Sequence, residues 1–235
     1  MFRNAEVAPQ ANAAKPLRVA RLGMVLALPV LAPTVLLIDV LSVSLSPADV
    51  QSGSPSTGTV TLDKGPLSPV TVTLISSNSS VATVPGRITV SGKNGTGAFT
   101  VNTVSGAGGC ATITAAVLGS GVKRATLLAV RPTNPPGPIS MTLSAATVVG
   151  GSSVSGNLAV TPGSSVGQTV QLSSSNPAVT VPASVALRAA EIDAGVANFN
   201  IGTAVVQSTT CAIITATFQG SQNRALLKLT RITAG

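Results

Sequence analysis

The chain has 235 residues, with 14 lysines and arginines against 6 aspartates and glutamates, which gives a formal net charge of +8. It contains no histidine, tryptophan or tyrosine, and the missing histidine excludes Ser-His and Cys-His catalytic pairs as well as histidine-ligated metal centres. Charged residues make up 9% of the chain, against about 25% in typical globular domains. We therefore expect a protein that is not an enzyme and has no cofactor, no metal ion and no small-molecule substrate.

The first predicted element is an apolar segment that follows a basic tail. Residues 1–21 contain four basic side chains and one glutamate, and no charged residue occurs from Leu22 to Ile38. A helix of this length covers roughly 26 Å, close to the ~30 Å hydrocarbon core of a bilayer. Because basic flanks stay in the cytoplasm, we predict a cytoplasmic tail at 1–21 and a transmembrane signal anchor at 22–41, which contacts membrane lipid.

A cleaved signal peptide is the alternative interpretation of the same segment. The best small-x-small cleavage site is Val30-Leu31-Ala32, but Pro33 would follow the cut. The next polar stretch, Ser42–Ser46, already has the pattern of a strand, which leaves no processing region. We therefore favour the retained anchor, and in either case the rest of the chain is exported.

From residue 42 onward the hydrophobic pattern changes to a period of two. Val70–Leu74 and Ala111–Ala115 alternate apolar and hydroxyl residues, which is typical of half-buried strands. Turn residues separate such segments at intervals of about 8–12 residues, as in β-sandwiches. The predicted strands are 42–46, 57–62, 70–76, 81–84, 87–91, 97–103, 110–118 and 122–130, followed by 140–144, 153–160, 168–174, 178–181, 184–188, 195–201, 211–218 and 222–231.

The region is an internal duplication. Ser76–Pro85 matches Ser174–Pro182, and Cys110–Ser120 matches Cys211–Ser221. A proline-rich stretch between the copies favours an extended, semi-rigid connector. The predicted boundaries are 42–131 for the first domain, 132–138 for the linker and 139–235 for the second domain.

SSNSSVATVP, the alternating run that contains Phe99, and CATITAAVLGS with KRATLLAV together resemble the tandem immunoglobulin-like modules of bacterial cell-surface and secreted proteins. The resemblance covers residues 43–231. It implies an all-β fold of two tandem Ig-like β-sandwich domains, here preceded by a single N-terminal transmembrane helix. It also implies a role as spacer, stalk or adhesive surface. The Cys…Trp…Cys core of antibody domains is missing, since each copy has one cysteine and no tryptophan.

Cys110 and Cys211 occupy equivalent positions, each at the start of a strand. The alternation places them on the outer face of their sheets, opposite the predicted core side chains. Equivalent points in end-to-end modules would lie tens of ångströms apart, because a ten-residue strand is already about 34 Å long, whereas a disulfide requires Cα atoms within about 7 Å. We therefore predict two free thiols; a contact with a partner, or an intramolecular bridge between modules packed side by side, remains the alternative. The predicted core residues of these strands are Ala111, Ile113, Ala115 and Val117, with Ala212, Ile214, Ala216 and Phe218 in the second copy.

Four short motifs resemble functional ones. Gly163–Gly167 spells the GxSxG nucleophile elbow and Ser120–Lys123 spells SxxK, but the chain has no histidine base and both motifs fall in predicted turns between strands. Gly92–Gly97 and Gly106–Gly109 are glycine-rich, yet a phosphate cradle would require each to open a helix. Turn chemistry explains the two glycine-rich segments, chance in a chain rich in serine and glycine explains GxSxG, and SxxK lacks its partner motifs. We therefore predict no catalytic and no cofactor-binding residue.

Metal binding and glycosylation have little support. Glu191 and Asp193 lie close together and suit Ca²⁺, but two carboxylates rarely suffice. Asn78 and Asn94 match the glycosylation sequon through the serine and threonine richness of the chain. We predict that Glu191 and Asp193 are solvated surface charges and that neither asparagine is glycosylated.

The basic residues after the apolar segment are dispersed. Nucleic-acid binding requires clustered cations and aromatic stacking platforms, so we predict no nucleic-acid partner. Anionic lipid headgroups or an acidic protein surface suit the charge better. Lys123-Arg124 and Arg224 fall at equivalent positions of the repeat and suggest a shared basic edge, although we favour solvated strand ends as their explanation.

These features together predict a non-catalytic, single-pass structural subunit of a bacterial inner membrane. Its N-terminus is cytoplasmic, and its Ig-like domains are periplasmic or extracellular. There they would brace or link other integral membrane or periplasmic proteins, in an energy-transducing complex such as a respiratory or photosynthetic assembly. The alternative is a surface-displayed module that binds glycans or other cells.

Overall fold

The computed structural model describes four stretches of the chain, which form nineteen β-strands. These stretches are residues 38–120, 123–161, 167–189 and 195–232. We call residues 38–131 module 1 and residues 139–232 module 2. The strands of module 1 are β1 (Val40–Ser46), β2 (Asp49–Gln51), β3 (Ser56–Leu62), β4 (Val70–Ser76), β5 (Ala82–Thr83), β6 (Arg87–Val90), β7 (Thr96–Thr103), β8 (Gly109–Val117) and β9 (Lys123–Arg131). The strands of module 2 are β10 (Ile139–Leu143), β11 (Thr147–Val149), β12 (Val154–Val160), β13 (Thr169–Ser174), β14 (Val179–Thr180), β15 (Ser184–Ala186), β16 (Arg188–Ala189), β17 (Gly195–Thr203), β18 (Thr210–Phe218) and β19 (Ser221–Thr230).

Module 1 is a sandwich of two sheets. One has the strand order β1-β3-β7-β5 and the other has the order β2-β9-β8-β4-β6. Every second side chain of the long strands points inward, so that Val60, Val72, Ile113 and Leu128 are fully buried between the sheets. The short strand β2 runs parallel to β9, while all the other paired strands of the module are antiparallel.

Module 2 repeats this arrangement. Its sheets have the orders β10-β12-β17-β14, with β16 also paired to β17, and β11-β19-β18-β13-β15. Leu158, Val170, Ile214 and Leu227 are fully buried in its separate core. The chain is thus all-β, and its sheet pairs are consistent with Ig-like β-sandwiches. All the described residues belong to one compact unit.

One phenylalanine in each module lies across a glycine of the neighbouring strand. Phe99 of β7 is opposite Gly58 of β3, and Phe199 of β17 is opposite Gly156 of β12. A Cβ atom on either glycine would lie 2.1 Å from the Cζ atom of the ring. The missing side chain therefore provides the space for the aromatic ring in a core made mostly of aliphatic residues.

The strand predictions agree closely with the structure. Ala111, Ile113 and Ala115 are fully buried, and the predicted core face of β18 is buried as well. The prediction missed β2 and β11, because a three-residue strand is too short for alternation to be visible.

The predicted helix at 22–41 requires a correction at its C-terminal end. Val40 and Leu41 belong to β1, where Val40 pairs with Leu62 and is 1% exposed. The hydrophobicity of Val40 therefore serves the core of module 1 and not a membrane segment. Residues 22–37 lie outside the described residues, as does the tail at 1–21, and among the described residues no helix is long and apolar enough to cross a bilayer.

Candidate functional site: the junction between the modules

The two modules are joined covalently. Cys110 of β8 and Cys211 of β18 form a disulfide, with their Cα atoms 5.7 Å apart. The prediction of two free thiols is therefore wrong. It assumed modules placed end to end, whereas the outer faces of β8 and β18 contact each other.

Apolar side chains surround the disulfide on these outer faces. Ala129 lies opposite Cys110 in the β8–β9 register, and Ile213 lies opposite Leu226 in the β18–β19 register. These three side chains form a cluster with the two cysteines and expose only 0%, 9% and 9% of their surface, although they point away from their own cores. An outer-face residue is buried to this extent only when another element covers it, so each module covers part of the other.

The loop before β8 approaches module 2 closely because of a glycine. A Cβ atom on Gly108 would lie 2.9 Å from two carbons of Pro132 and 3.0 Å from Cδ1 of Ile213. Gly108 therefore allows the loop to pack against the linker and the second module at once. Pro132 itself is buried at this point.

The linker is held to module 1 by hydrogen bonds. Gln51 donates from Nε2 to the carbonyl oxygen of Pro132 at 2.9 Å. The Thr133 backbone N–H donates to Ser52 Oγ at 3.2 Å, and the two hydroxyl groups of these residues lie 3.0 Å apart. The start of the linker is therefore held against the end of β2 in module 1 and does not move independently of that module.

Arg224 of β19 connects three parts of the junction. Its backbone N–H donates to Asn134 Oδ1 at 2.7 Å, while Asn134 Nδ2 donates to the Arg224 carbonyl at 2.9 Å. Its guanidinium Nη2 donates to the carbonyl of Gly106 in module 1 at 2.7 Å. Nearby, Lys228 Nζ of module 2 lies 3.6 Å from Asp49 Oδ2 of module 1. Polar contacts thus extend the apolar cluster on two sides.

A cavity of about 260 Å³ opens between the modules beside these contacts. Asp49 and Arg131 of module 1 line it, together with Thr147, Arg224 and Lys228 of module 2. The lining contains cations, one carboxylate and polar groups, together with apolar side chains. Thr147 lies opposite Lys228 in the β11–β19 register, and Lys228 is paired with Asp49.

The predicted equivalence of Arg124 and Arg224 is wrong. Arg124 lies opposite Ala115, whereas Arg224 lies opposite Thr215, so the two arginines point to opposite faces of their sheets. The β18–β19 turn contains only Gln219 and Gly220, which have positive φ angles of 47° and 82°. The equivalent pairs Ala116–Lys123 and Thr217–Gln222 enclose six and four residues, so the turn of module 2 is two residues shorter and Arg224 corresponds to Ala125.

The position that truly corresponds to Arg124 is Asn223, which lies opposite Ala216. Asn223 Nδ2 donates to the Ile139 carbonyl at 3.2 Å, and Arg124 Nε donates to the Val40 carbonyl at 3.3 Å. Both contacts tie the last strand to the first strand of the same module. Arg224 is thereby available for the junction.

The other short motifs take the structure of turns where they can be described. Gly92, Gly95, Gly106 and Gly109 all have positive φ angles, as turn chemistry requires. Asn78 Oδ1 accepts hydrogen bonds from the backbone N–H and hydroxyl of Ser80, and therefore stabilises its own turn. Asn94 is an exposed turn residue.

Parts of two motifs and the acidic pair lie outside the described residues. They are Gly163–Val166 of the GxSxG motif, Gly121 and Val122 of the SxxK motif, and Glu191 with Asp193. Of the remaining members, Ser120 contacts the carboxylate of Asp39, and Gly167 has a φ of 81° and donates to the Leu187 carbonyl. Within the described part of the chain, no group of three or more Cys, Asp or Glu residues could hold a metal ion.

Sequence reasoning missed the junction, although the sequence contains a signal for it. Ile213-Ile214 and Leu226-Leu227 are apolar doublets in strands that otherwise alternate. A doublet places one apolar side chain on each face of a sheet. Both faces of such a strand must then be covered. The outward-facing residues of the two doublets are Ile213 and Leu226, and both lie in the junction.

The chain is thus an all-β protein of two β-sandwich modules in contact. No protein-family model and no curated protein sequence matches it. Among solved structures it is similar to the S-layer protein SbsC, domains 5–6, at 16% identity and a TM-score of 0.30, over 83% of this chain and 99% of that chain.

Two further structures show likenesses of the same degree. Domains 4–9 of surface layer protein SbsC give 15% identity and a TM-score of 0.30, and this chain spans only 32% of that chain with 83% of its own length. The BSP domain of a biofilm-associated protein gives 19% identity and a TM-score of 0.28, over 83% of this chain and 30% of that chain. These TM-scores are too low to bear on the function of this chain.

Proposed function

We propose that this chain is a non-catalytic, membrane-anchored structural subunit whose two modules form one rigid exported arm. The observation that carries the proposal is the disulfide between Cys110 and Cys211, which lies inside an apolar contact between the modules. Neighbouring domains of one chain usually move relative to each other unless their interface is large. A covalent bond, a hydrogen-bonded linker and the Arg224 contacts oppose such motion here.

The disulfide also supports export. Structural disulfides persist in oxidising compartments such as the periplasm and are rare in the cytosol. The basic tail and the apolar segment Leu22–Ile38 provide the sequence features for export with a retained anchor. The arm would therefore stand outside the cytoplasmic membrane.

The role of such an arm is to hold partners at a fixed spacing. The chain lacks histidine, and the junction is built from apolar packing, hydrogen bonds and an ion pair, which favours bracing over catalysis. The partners would be other integral membrane or periplasmic proteins, with a respiratory or photosynthetic assembly as one host.

Purification of the full chain from membranes in mild detergent tests this role. We expect partner proteins in a fixed stoichiometry. Chemical cross-linking of the purified complex should join two different partners to one arm. The Cys110→Ser/Cys211→Ser double variant should retain its anchor but lose these cross-links. A monomer without partners would contradict the proposal. Binding of glycans or whole cells by that monomer would favour the surface-adhesion alternative.

A further inference from the structure

Three loops and the start of β1 meet at one end of module 1, opposite the junction. The β3–β4 loop (63–69) contacts the start of β1, because the Asp63 N–H donates to the Asp39 carbonyl at 3.0 Å. The same loop packs on the β6–β7 loop (91–95), since a Cβ atom on Gly65 would lie 2.0 Å from the Lys93 carbonyl oxygen. We call this surface the N-terminal end of module 1.

The end of the β8–β9 hairpin belongs to the same surface. Ser120 Oγ contacts the carboxylate of Asp39, and Arg124 of β9 donates to the Val40 carbonyl. The N-terminal end is therefore a continuous surface around the point where the described chain begins.

This surface exposes large apolar side chains. Leu67, Leu118 and Leu41 have exposed fractions of 104%, 77% and 56%. Leu67 stands at the tip of its loop, and Leu118 follows β8 directly. Five other large apolar side chains among the described residues are exposed to between 41% and 59%, so the two most exposed ones, Leu67 and Leu118, both belong to this end. Exposed large apolar groups at one end of a molecule are typical of a contact surface.

Cations occur in the same loops and strand ends as the leucines. Lys64, Lys93, Lys123 and Arg124 are all exposed at this end. The opposing carboxylates are those of Asp63, which lies 3.6 Å from Lys64 Nζ, and of Asp39. Cations therefore outnumber carboxylates at this end. Leucines with lysines and arginines beside them are the composition of surfaces that lie in the headgroup region of anionic bilayers.

The sequence before residue 38 indicates that a lipid bilayer contacts this surface. Ile38 packs against the core of module 1, and the chain before it is the uncharged apolar stretch 22–37, which is the segment of the proposed membrane anchor. A chain anchored there has no spacer that would hold module 1 away from the bilayer. A protein partner would have to compete for a surface that the anchor already brings to the lipid.

We propose that the N-terminal end of module 1 rests on an anionic lipid surface. Leu67 and Leu118 enter the interfacial region, and Lys64, Lys93 and Lys123 contact lipid phosphates. The arm then has a fixed orientation relative to the membrane and does not swing about a flexible stem. This inference rests on the retained anchor of the proposed function.

The chain contains no tryptophan or tyrosine, so a single introduced tryptophan reports its own environment without background. The full chain is reconstituted in nanodiscs whose lipids carry brominated acyl chains, with either anionic or zwitterionic headgroups. The variants are Leu67→Trp, Leu118→Trp and, as matched control, Val205→Trp, which is 59% exposed on module 2. Substitution of exposed side chains leaves both cores unchanged, and the urea midpoint verifies this.

We expect a blue shift and bromine quenching for Leu67→Trp and Leu118→Trp in anionic nanodiscs, and neither for Val205→Trp. Changing Lys64, Lys93 and Lys123 to glutamine should reduce the lipid-contact equilibrium by about fivefold per lysine. Unquenched tryptophans in a chain that does enter the nanodiscs would overturn the lipid contact and leave the anchor intact. A chain that fails to enter nanodiscs would overturn both.

Discussion

At the scale of single residues, the modules depend on glycines that leave space for larger neighbours. The rings of Phe99 and Phe199 occupy the positions that Cβ atoms of Gly58 and Gly156 would need. Three phenylalanines are buried in the cores, Phe99 in module 1 and Phe199 and Phe218 in module 2, and two of these three rings lie over a glycine.

Gly58→Ala should destabilise module 1 by about 1–3 kcal/mol, because the ring of Phe99 must leave its site in a packed core. The measurement is urea unfolding followed by far-UV circular dichroism, since the chain has no tryptophan. Gly86→Ala is the control, because no heavy atom lies within 4 Å of the added Cβ position and the φ angle of Gly86 lies outside the left-handed region that favours glycine. Equal midpoints for the two variants would contradict this account of the core.

Asp63 should make the start of β1 sensitive to acid. Its carboxylate accepts a hydrogen bond from the Asp39 N–H at 2.9 Å, which lowers the pKa of Asp63 below its ordinary value of 3.8. A lowered pKa contributes stability that is complete above the unfolded value and is lost as the pH falls through the folded value. An NMR titration of Asp63 should therefore show a midpoint below 3.8, and Asp63→Asn should remove this contribution to acid sensitivity. A midpoint at or above the ordinary value would contradict the hydrogen bond.

At the scale of elements, the lengths of two hairpin turns decide which arginine serves the junction. The two-residue turn at Gln219 and Gly220 has both φ angles positive, as type I′ turns require. It places Arg224 on the outer face of β19, while the longer turn of module 1 leaves Arg124 beside β1.

Arg224→Ala should loosen the junction in protein whose disulfide is reduced, because the contact with the Gly106 carbonyl is lost. Small-angle X-ray scattering should then give a larger radius of gyration than for reduced wild-type protein. Arg124→Ala is the matched control, since its contact lies within module 1, and it should leave the radius unchanged. The same radius for both variants would show that Arg224 does not hold the modules together.

Much of each sandwich can be predicted from the sequence because alternation is a local property. The buried face of β8 follows from the pattern Ala111, Ile113, Ala115 alone. The junction cannot be derived in this way, since the burial of Ala129 depends on a surface about a hundred residues away in the chain. The short strands β2 and β11 are likewise determined by their parallel neighbours β9 and β19 and not by their own residues.

At the scale of the whole molecule, one bond closes a loop that contains most of module 2. Cys110 and Cys211 are 101 residues apart. In the chain-entropy account, a bridge across so long a loop restricts the unfolded chain strongly, and stabilisations of about 2–4 kcal/mol are typical. The sandwiches have separate cores, so the bond supports their arrangement more than their individual folds.

Reduction should therefore lower the urea midpoint of the wild-type chain, while the Cys110→Ser/Cys211→Ser variant should show the lower midpoint with or without reductant. The double variant should keep the β-sheet signal of both modules in circular dichroism. If the urea midpoint of the wild-type chain is the same with and without reductant, the bond contributes nothing to stability. Mass mapping of peptides from unreduced protein verifies the pairing in both experiments.

The disulfide joins the same position of two repeated copies, and this has a consequence for symmetry. In a two-fold symmetric dimer, a residue on or near the axis meets its own counterpart. Cys110 and Cys211 meet in this way, while the contacts around them are not symmetric, because Arg224 reaches the other module and Arg124 does not. Each module contributes one cysteine, and these two residues lie at the centre of the contact between the modules. Because the linker joins both modules in one polypeptide, the contact between them does not depend on protein concentration, as the association of two separate molecules would.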